Sequence, residues 1–228
     1  MTRFFALALA PWLAAPAQAA PTPLSPVARA PAEAPTEAVP PDEPLAVDGK
    51  VLYKQLRFEE WVGVGVLSAT LSDLPALSNS AADDFSVPEG REWTIRRIVA
   101  DGQDGGVTVP SFTVYILNDQ GWGIPAWEVA RYDGLVGRRS LGGTYSFDLP
   151  TPLKLGPGRY WLNVLANTAQ SRGFWYWSIN SVRRGEPAAM WNFGGGWGLC
   201  TDTWHPLATC LSDDSYQDLR FKLVGRER

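Results

Sequence analysis

The stretch GTYSFDLPTPLKLGPGRYWLNVLANTAQSRGFWYWSIN, residues 143–180, leaves this chain few ways to fold. Tyr145, Phe147 and Leu149 alternate with Thr144, Ser146 and Asp148. That period of two puts one apolar and one wet face on a pleated strand. Gly156-Pro157-Gly158 turns the chain, and Tyr160 to Leu165 is then apolar on both sides, as suits a central strand covered on both faces. Phe174-Trp175-Tyr176-Trp177 follows a polar loop and supplies more buriable area per residue than any other part of the chain. The stretch predicts the heart of an all-β domain.

The remaining sequence extends that pattern. Strands are expected at 50–58 and, less regularly because of its glycines, at 62–69. Leu71 to Ala82, rich in Ser, Asp and Asn, reads as loop, and Phe85 and Val87 begin a short strand before the Pro88-Glu89-Gly90 turn. Trp93 to Ala100 alternates, Ser111 to Asn118 is β-branched and aromatic, Ala126 to Tyr132 pairs onward, and Ala188 to Phe193 makes a short strand before a glycine-rich segment. In Asp218 to Val224, Leu219, Phe221 and Leu223 alternate with Arg220, Lys222 and Val224, which predicts a last strand with one solvated face. No apolar pattern at helical spacing runs for three turns. Short strands punctuated by Gly and Pro predict an antiparallel β-sandwich, jelly-roll-like, with a strand order that sequence does not reveal.

The N-terminal part is not expected to join such a core. Residues 1–19 place Arg3 before an apolar run and end on Ala17-Gln18-Ala19, the order of a secretory signal peptide with cleavage after Ala19. The run is too short to span a bilayer and is interrupted by Pro11 and Pro16. Residues 20–48, mostly Pro, Ala, Glu, Thr and Ser, bury too little surface to offset their ordering entropy and read as a disordered linker. Residues 49–228 are left as one domain of ordinary size. Most of the formal charge of −4 lies in the first 48 residues, so the domain is near neutral. It has no basic stripe for phosphates, which argues against nucleic acid as a partner. No later run is long enough for a membrane helix. The two cysteines, Cys200 and Cys210, in a chain expected to be secreted or periplasmic, suit a local disulfide; two free thiols or part of a metal site are the other readings.

Taken in order, AADDFSVPEGREWTI, FTVYILND with QGWGIPAW, YSFDLPTPLKLGPGRYWLNVLAN, FWYWSIN and the CTDTWHPLATC loop before DLRFKLVG resemble a poorly characterised family of bacterial secreted β-sandwich domains found in multidomain exported proteins. The resemblance covers most of residues 50–228. It implies export, a jelly-roll-like sandwich and the Cys200–Cys210 disulfide, and it carries no established activity. The chain ends at Arg228 without the peptidase domain or sorting tail of larger members, so surface attachment is not implied.

The chemistry is thin. His205 is the only histidine, and a triad would have to use it, whereas a loop histidine packed near Trp204 is the plainer reading. Asp83, Asp84, Asp101, Asp104, Asp119, Glu128, Asp133 and Asp148 offer carboxylates for a glycosidase pair, although most fall at expected turns. Asp101 and Asp104, in DGQDGG, are the best local candidates for a structural calcium site, against an ordinary turn. Tryptophan is the stronger signal, with ten of the eleven beyond the leader. Trp93, Trp161, Trp175 and Trp177 lie in expected strands and read as core. Trp122, Trp127, Trp197 and Trp204 lie in or beside loops and are the candidate ligand contacts. These features predict a non-catalytic binding module for polysaccharide or an extracellular protein, needing no cofactor. A structural matrix component and a carboxylate-dependent glycoside hydrolase are the alternatives.

Overall fold

The structure, a computed structural model, describes residues 25–29, 49–119, 121 and 123–228. The expected signal peptide and most of the expected linker lie outside the described residues. In chain order the strands are β1 (Val27–Arg29), β2 (Lys50–Lys54), β3 (Trp61–Leu67), β4 (Ala69–Leu71), β5 (Ser80–Val87), β6 (Trp93–Ala100), β7 (Gly102–Gln103), β8 (Ser111–Asp119) and β9 (Pro125–Leu135). They continue as β10 (Arg138–Arg139), β11 (Tyr145–Leu155), β12 (Gly158–Thr168), β13 (Tyr176–Asn180), β14 (Ala189–Trp191), β15 (His205–Pro206), β16 (Asp218–Leu219) and β17 (Phe221–Glu227). The one α-helix among the described residues, α1 (Leu207–Leu211), is five residues long.

Three sheets pack together as an all-β sandwich. The first runs β1-β3-β13-β16 with β7 also on β13, the second β10-β11-β6-β17-β2, and the third β15-β14-β5-β12-β8-β9 with β4 on β12. Every pairing is antiparallel except β4 on β12. Successive strands change sheet repeatedly, as in a jelly-roll-like arrangement: β5 to β6, β9 to β10, β11 to β12 and β12 to β13 all cross between layers.

The period-two reading of residues 143–180 holds. Tyr145, Phe147 and Leu149 are buried in β11, and β12 is a central strand between β5 and β8. Leu162, Val164 and Ala166 of β12 face the main core, while Trp161 joins a second apolar cluster with Ala82, Leu117 and Ala189. Trp93, Trp161, Trp175 and Trp177 are all buried. Trp175 meets Phe112 edge-on at 5.4 Å and lies 5.9 Å from Trp177, and such pairs add about 0.5–1.5 kcal/mol each beyond the area they bury.

Four expectations change. The segment read as one final strand is two, β16 in the first sheet and β17 in the second, and Arg220 between them is 1% exposed rather than on a solvated face. Its guanidinium makes the corner possible: Nε donates to Asp101 Oδ2 at 2.5 Å, Nη1 to the carbonyl of Arg57 and to Asn180 Oδ1, and Nη2 to the carbonyl of Leu56. A chain changing sheets leaves backbone carbonyls unpaired in the interior, and this fork of donors satisfies them. Residues 80–82, expected as loop, belong to the eight-residue β5, so Asp83 and Asp84 sit in mid-strand rather than at a turn. Lys50 to Phe58, expected as one strand, is strand only to Lys54. Finally, within the stretch 20–48 expected as a disordered linker, residues 27–29 form β1 on the edge of β3; Val27 packs against the main core, which offsets part of the ordering entropy there.

Candidate functional site

Past β14 the chain leaves the sheet, crosses a glycine-rich segment and returns through β15. Gly194 and Gly196 let this segment lie directly on Pro75–Leu77: a Cβ at either position would stand 2.4–2.5 Å from a carbonyl oxygen of Pro75 or Ala76. The amide of Gly196 donates to the Ala76 carbonyl at 2.7 Å, and Trp197 Nε1 to that of Leu77 at 2.9 Å. The return is held by the Cys200–Cys210 disulfide, whose Cα atoms are 5.9 Å apart, and by the amide of Asn192 donating to the Cys200 carbonyl at 2.9 Å.

This frame presents a row of aromatic rings. Phe193, 39% exposed, lies 6.0 Å from Trp191 at 62°, and Trp191 lies 6.0 Å from Trp204 at 57°. Leu199, 38% exposed, is a further apolar side chain on the same loop. Trp191 and Trp204 are half-buried, and Trp204 packs against the Ala82, Leu117, Trp161 and Ala189 cluster on the outer side of the third sheet. Tyr115 borders the same cluster, with the Arg131 guanidinium 5.1 Å from its ring centre. The row is therefore backed by packed side chains and a closed covalent loop, so little rotamer freedom remains to be lost when a flat ligand face meets it.

Of the four tryptophans singled out from sequence, the structure places only Trp204 in this row. Trp197 is half-buried against the main core, with its N–H spent on Leu77. Trp127 is the most exposed of the described tryptophans, at 70%, but lies on β9 in no ring pair among the described residues. Trp122 lies outside the described residues. Sequence reasoning missed Trp191 and Phe193 because an apolar run at the end of a strand reads as core.

A second constellation sits where all three sheets meet. Asp83 and Asp218 are fully buried and Asp84 is 1% exposed. Asp83 Oδ2 accepts from the amide of Leu219 at 2.6 Å and from Gln55 Nε2, and its Oδ1 from the amide of Asp84. Asp218 Oδ2 accepts from the amide of Arg184 at 2.5 Å, while its Oδ1 has no partner. Burial pushes Asp83 well up, with the Asp218 charge adding to it; burial pushes Asp218 up to about 8 and Asp84 up to about 6. The buried pair therefore holds at least one proton at neutral pH. On the outer side Asp84, Asp119 and Glu186 all reach the Arg159 guanidinium, at 3.5, 3.2 and 2.5 Å. A shallow groove of about 240 Å³ opens beside them between Tyr53, Asp84 and Arg184.

A glycosidase pair flanks its substrate from two sides with room for a sugar between, whereas these three carboxylates converge on one cation. The calcium candidates are likewise committed. Asp104 takes both Arg139 Nε and Nη2, at 2.6 and 2.8 Å, and Asp101 takes Arg220. No cluster of three or more His, Cys, Asp or Glu side chains with metal-holding geometry occurs among the described residues. His205 Nε2 lies 2.8 Å from Asp202 Oδ1 at the surface, with Trp204 beside it in the chain. No helix among the described residues is long and apolar enough to cross a membrane. No family model matches the chain, and no curated protein matches it.

Proposed function

We propose that this protein is an exported, non-catalytic binding module that takes a polysaccharide on the Phe193–Trp191–Trp204 row. The carrying observation is the row itself, three partly exposed rings, of which Trp204 lies inside the loop closed by the Cys200–Cys210 disulfide and Trp191 and Phe193 at the end of β14. Indole faces stack on the apolar faces of sugar rings, and the neighbouring exposed polar groups, Thr201, Asp202 and Thr203, supply hydrogen bonds to hydroxyls. The disulfide suits an oxidising compartment, in keeping with export. The structural-component alternative would draw on β9, the last strand of its sheet among the described residues, with Trp127 and Val129 exposed on it and Val136 exposed just beyond it. That edge is broken by three register shifts and carries Glu128, Arg131 and Asp133, which are devices that discourage edge-to-edge pairing.

Tryptophan fluorescence titrated with soluble polysaccharides tests the proposal. A saturable shift is expected, weakened roughly three- to tenfold in Trp191→Ala and in Trp204→Ala and unchanged in Trp127→Ala. Equal loss in all three variants, or no saturable response across neutral, acidic and amino-sugar polymers, sinks it.

A further inference from the structure

The charged side chains around the aromatic row are almost all acidic. From Gly185 to Leu219 the chain holds no lysine and no arginine, while Asp202, Asp213 and Asp214 lie at the surface of that stretch and His205 is its single histidine. Its other carboxylates are committed elsewhere: Glu186 takes Arg159, and Asp218 is buried. Arg131, beside the Tyr115 ring that borders the Trp204 cluster, is paired with Asp133 at 2.9 Å.

Asp202 is set beside the rings by the chain itself. β14 and β15 pair through Ala189↔Pro206 and Met190↔His205, and the next step of that register puts Trp191 opposite Trp204. Trp191 Nε1 donates to the Thr201 carbonyl at 3.4 Å, so Asp202 follows at the polar edge of that indole, two residues before Trp204. Its side chain is 74% exposed, and the His205 ring, 2.8 Å from Oδ1, holds its carboxyl below the usual range, so it is charged at neutral pH. The rings do not form one flat floor, since Phe193 and Trp204 are tilted by 62° and 57° from Trp191. A sugar stacked on one ring therefore turns its substituents toward the next. A positively charged substituent is drawn to an indole face within about 6 Å of the ring centre; a negatively charged one meets both that face and Asp202 with the wrong sign.

We propose that the row selects polysaccharides whose sugars carry a free amine over their N-acylated and uronic-acid counterparts, with the ammonium taken by the Trp191 and Trp204 rings and Asp202 as its counter-charge. The inference rests on the polysaccharide reading of the same row. The indole faces supply the affinity common to all sugars, and Asp202 supplies the choice among them.

The test titrates the intrinsic tryptophan fluorescence of the full-length protein at pH 6, where a sugar amine is largely protonated, in dilute salt that leaves surface charges weakly screened. The probes are glucosamine oligomers and N-acetylglucosamine oligomers of matched length, galacturonic acid oligomers, and pentalysine. An exposed ion pair together with a cation over an indole is worth about three- to thirtyfold. The amine form should therefore bind about fivefold or more tighter than the N-acetylated form, and galacturonic acid oligomers and pentalysine more weakly than the amine form. Asp202→Asn should at least halve the preference for the amine while leaving affinity for the N-acetylated oligomer within about twofold, which damage to the loop would not spare. A preference below about fivefold, a preference less than halved in Asp202→Asn, or either charged control binding as tightly as the amine oligomer overturns the proposal and leaves the polysaccharide site standing. No saturable response to any sugar oligomer sinks both.

Discussion

Replacing Asp218 by asparagine should make this protein more stable at pH 8 and reduce the fall in its stability between pH 5 and pH 8, a fall to which the buried Asp83, also pushed well up, contributes as well. In the native state burial pushes Asp218 from an ordinary 3.8 up to about 8, with the Asp84 charge adding to the rise and the Arg184 amide and the Arg184 and Arg183 charges opposing it. The unfolded chain releases that proton near pH 4 while the folded protein keeps it. Below pH 4 both states are protonated and nothing is lost; as pH rises from there toward 8, the unfolded state gains about 1.4 kcal/mol per pH unit relative to the native one. Over pH 5 to 8 Asp218 alone therefore costs on the order of 4 kcal/mol, and Asp84, at about 6, adds roughly 1 kcal/mol in the first part of that window. Glu60, which Arg184 holds below the usual range, acts with the opposite sign: its stabilisation is present above about pH 4.5 and lost below it. Asparagine has the shape of aspartate, keeps one oxygen for the Arg184 amide, and puts an amide nitrogen where one carboxylate oxygen has no partner. Urea unfolding followed by tryptophan fluorescence at pH 5, 6.5 and 8 measures the slope directly. A wild type more stable at pH 8 than at pH 5, or an Asp218→Asn protein with the wild-type slope, would refute the reasoning.

Arg220→Ala should cost about 3–5 kcal/mol in denaturant unfolding, because it removes a buried guanidinium that donates to the Asp101 carboxylate and to the carbonyls of Leu56 and Arg57, leaving the Leu56 carbonyl and Asn180 Oδ1 without it in the interior; a cost below about 1 kcal/mol would mean that water reaches the corner. Replacing Cys200 and Cys210 together by serine should lower stability by about 2–3 kcal/mol and leave the far-UV circular dichroism unchanged, since the closed loop is short and no sheet pairing runs through the disulfide itself. The same double variant should lose polysaccharide affinity, because the disulfide holds the return of the loop that carries Trp204. Retained affinity would separate the row from its covalent frame.

Much of the architecture was legible because it is local. The alternation of Tyr145, Phe147 and Leu149, the doubly apolar run from Tyr160 to Leu165 and the burial of Trp93, Trp161, Trp175 and Trp177 follow from a pleat of period two and from the area an indole removes from water. The two cysteines were close enough in sequence for their pairing to be expected without knowledge of the fold. By itself, then, the sequence determined an all-β sandwich and which side of most strands is apolar. It could not say what lies across from each side, since a neighbouring strand is chosen by contacts between residues far apart in the chain. Arg220 reads as solvent-facing until the corner between β16 and β17 surrounds it with carbonyls, and Asp83 reads as a turn residue until β16 closes over it. Trp191 and Trp197 are alike in composition of their surroundings, yet one ends up in an aromatic row and the other against the core, because only the tertiary structure decides what covers each ring. Residues 27–29 show the same division: three residues too few to hold a strand alone become one when a long edge with a vacant apolar position lies within their reach.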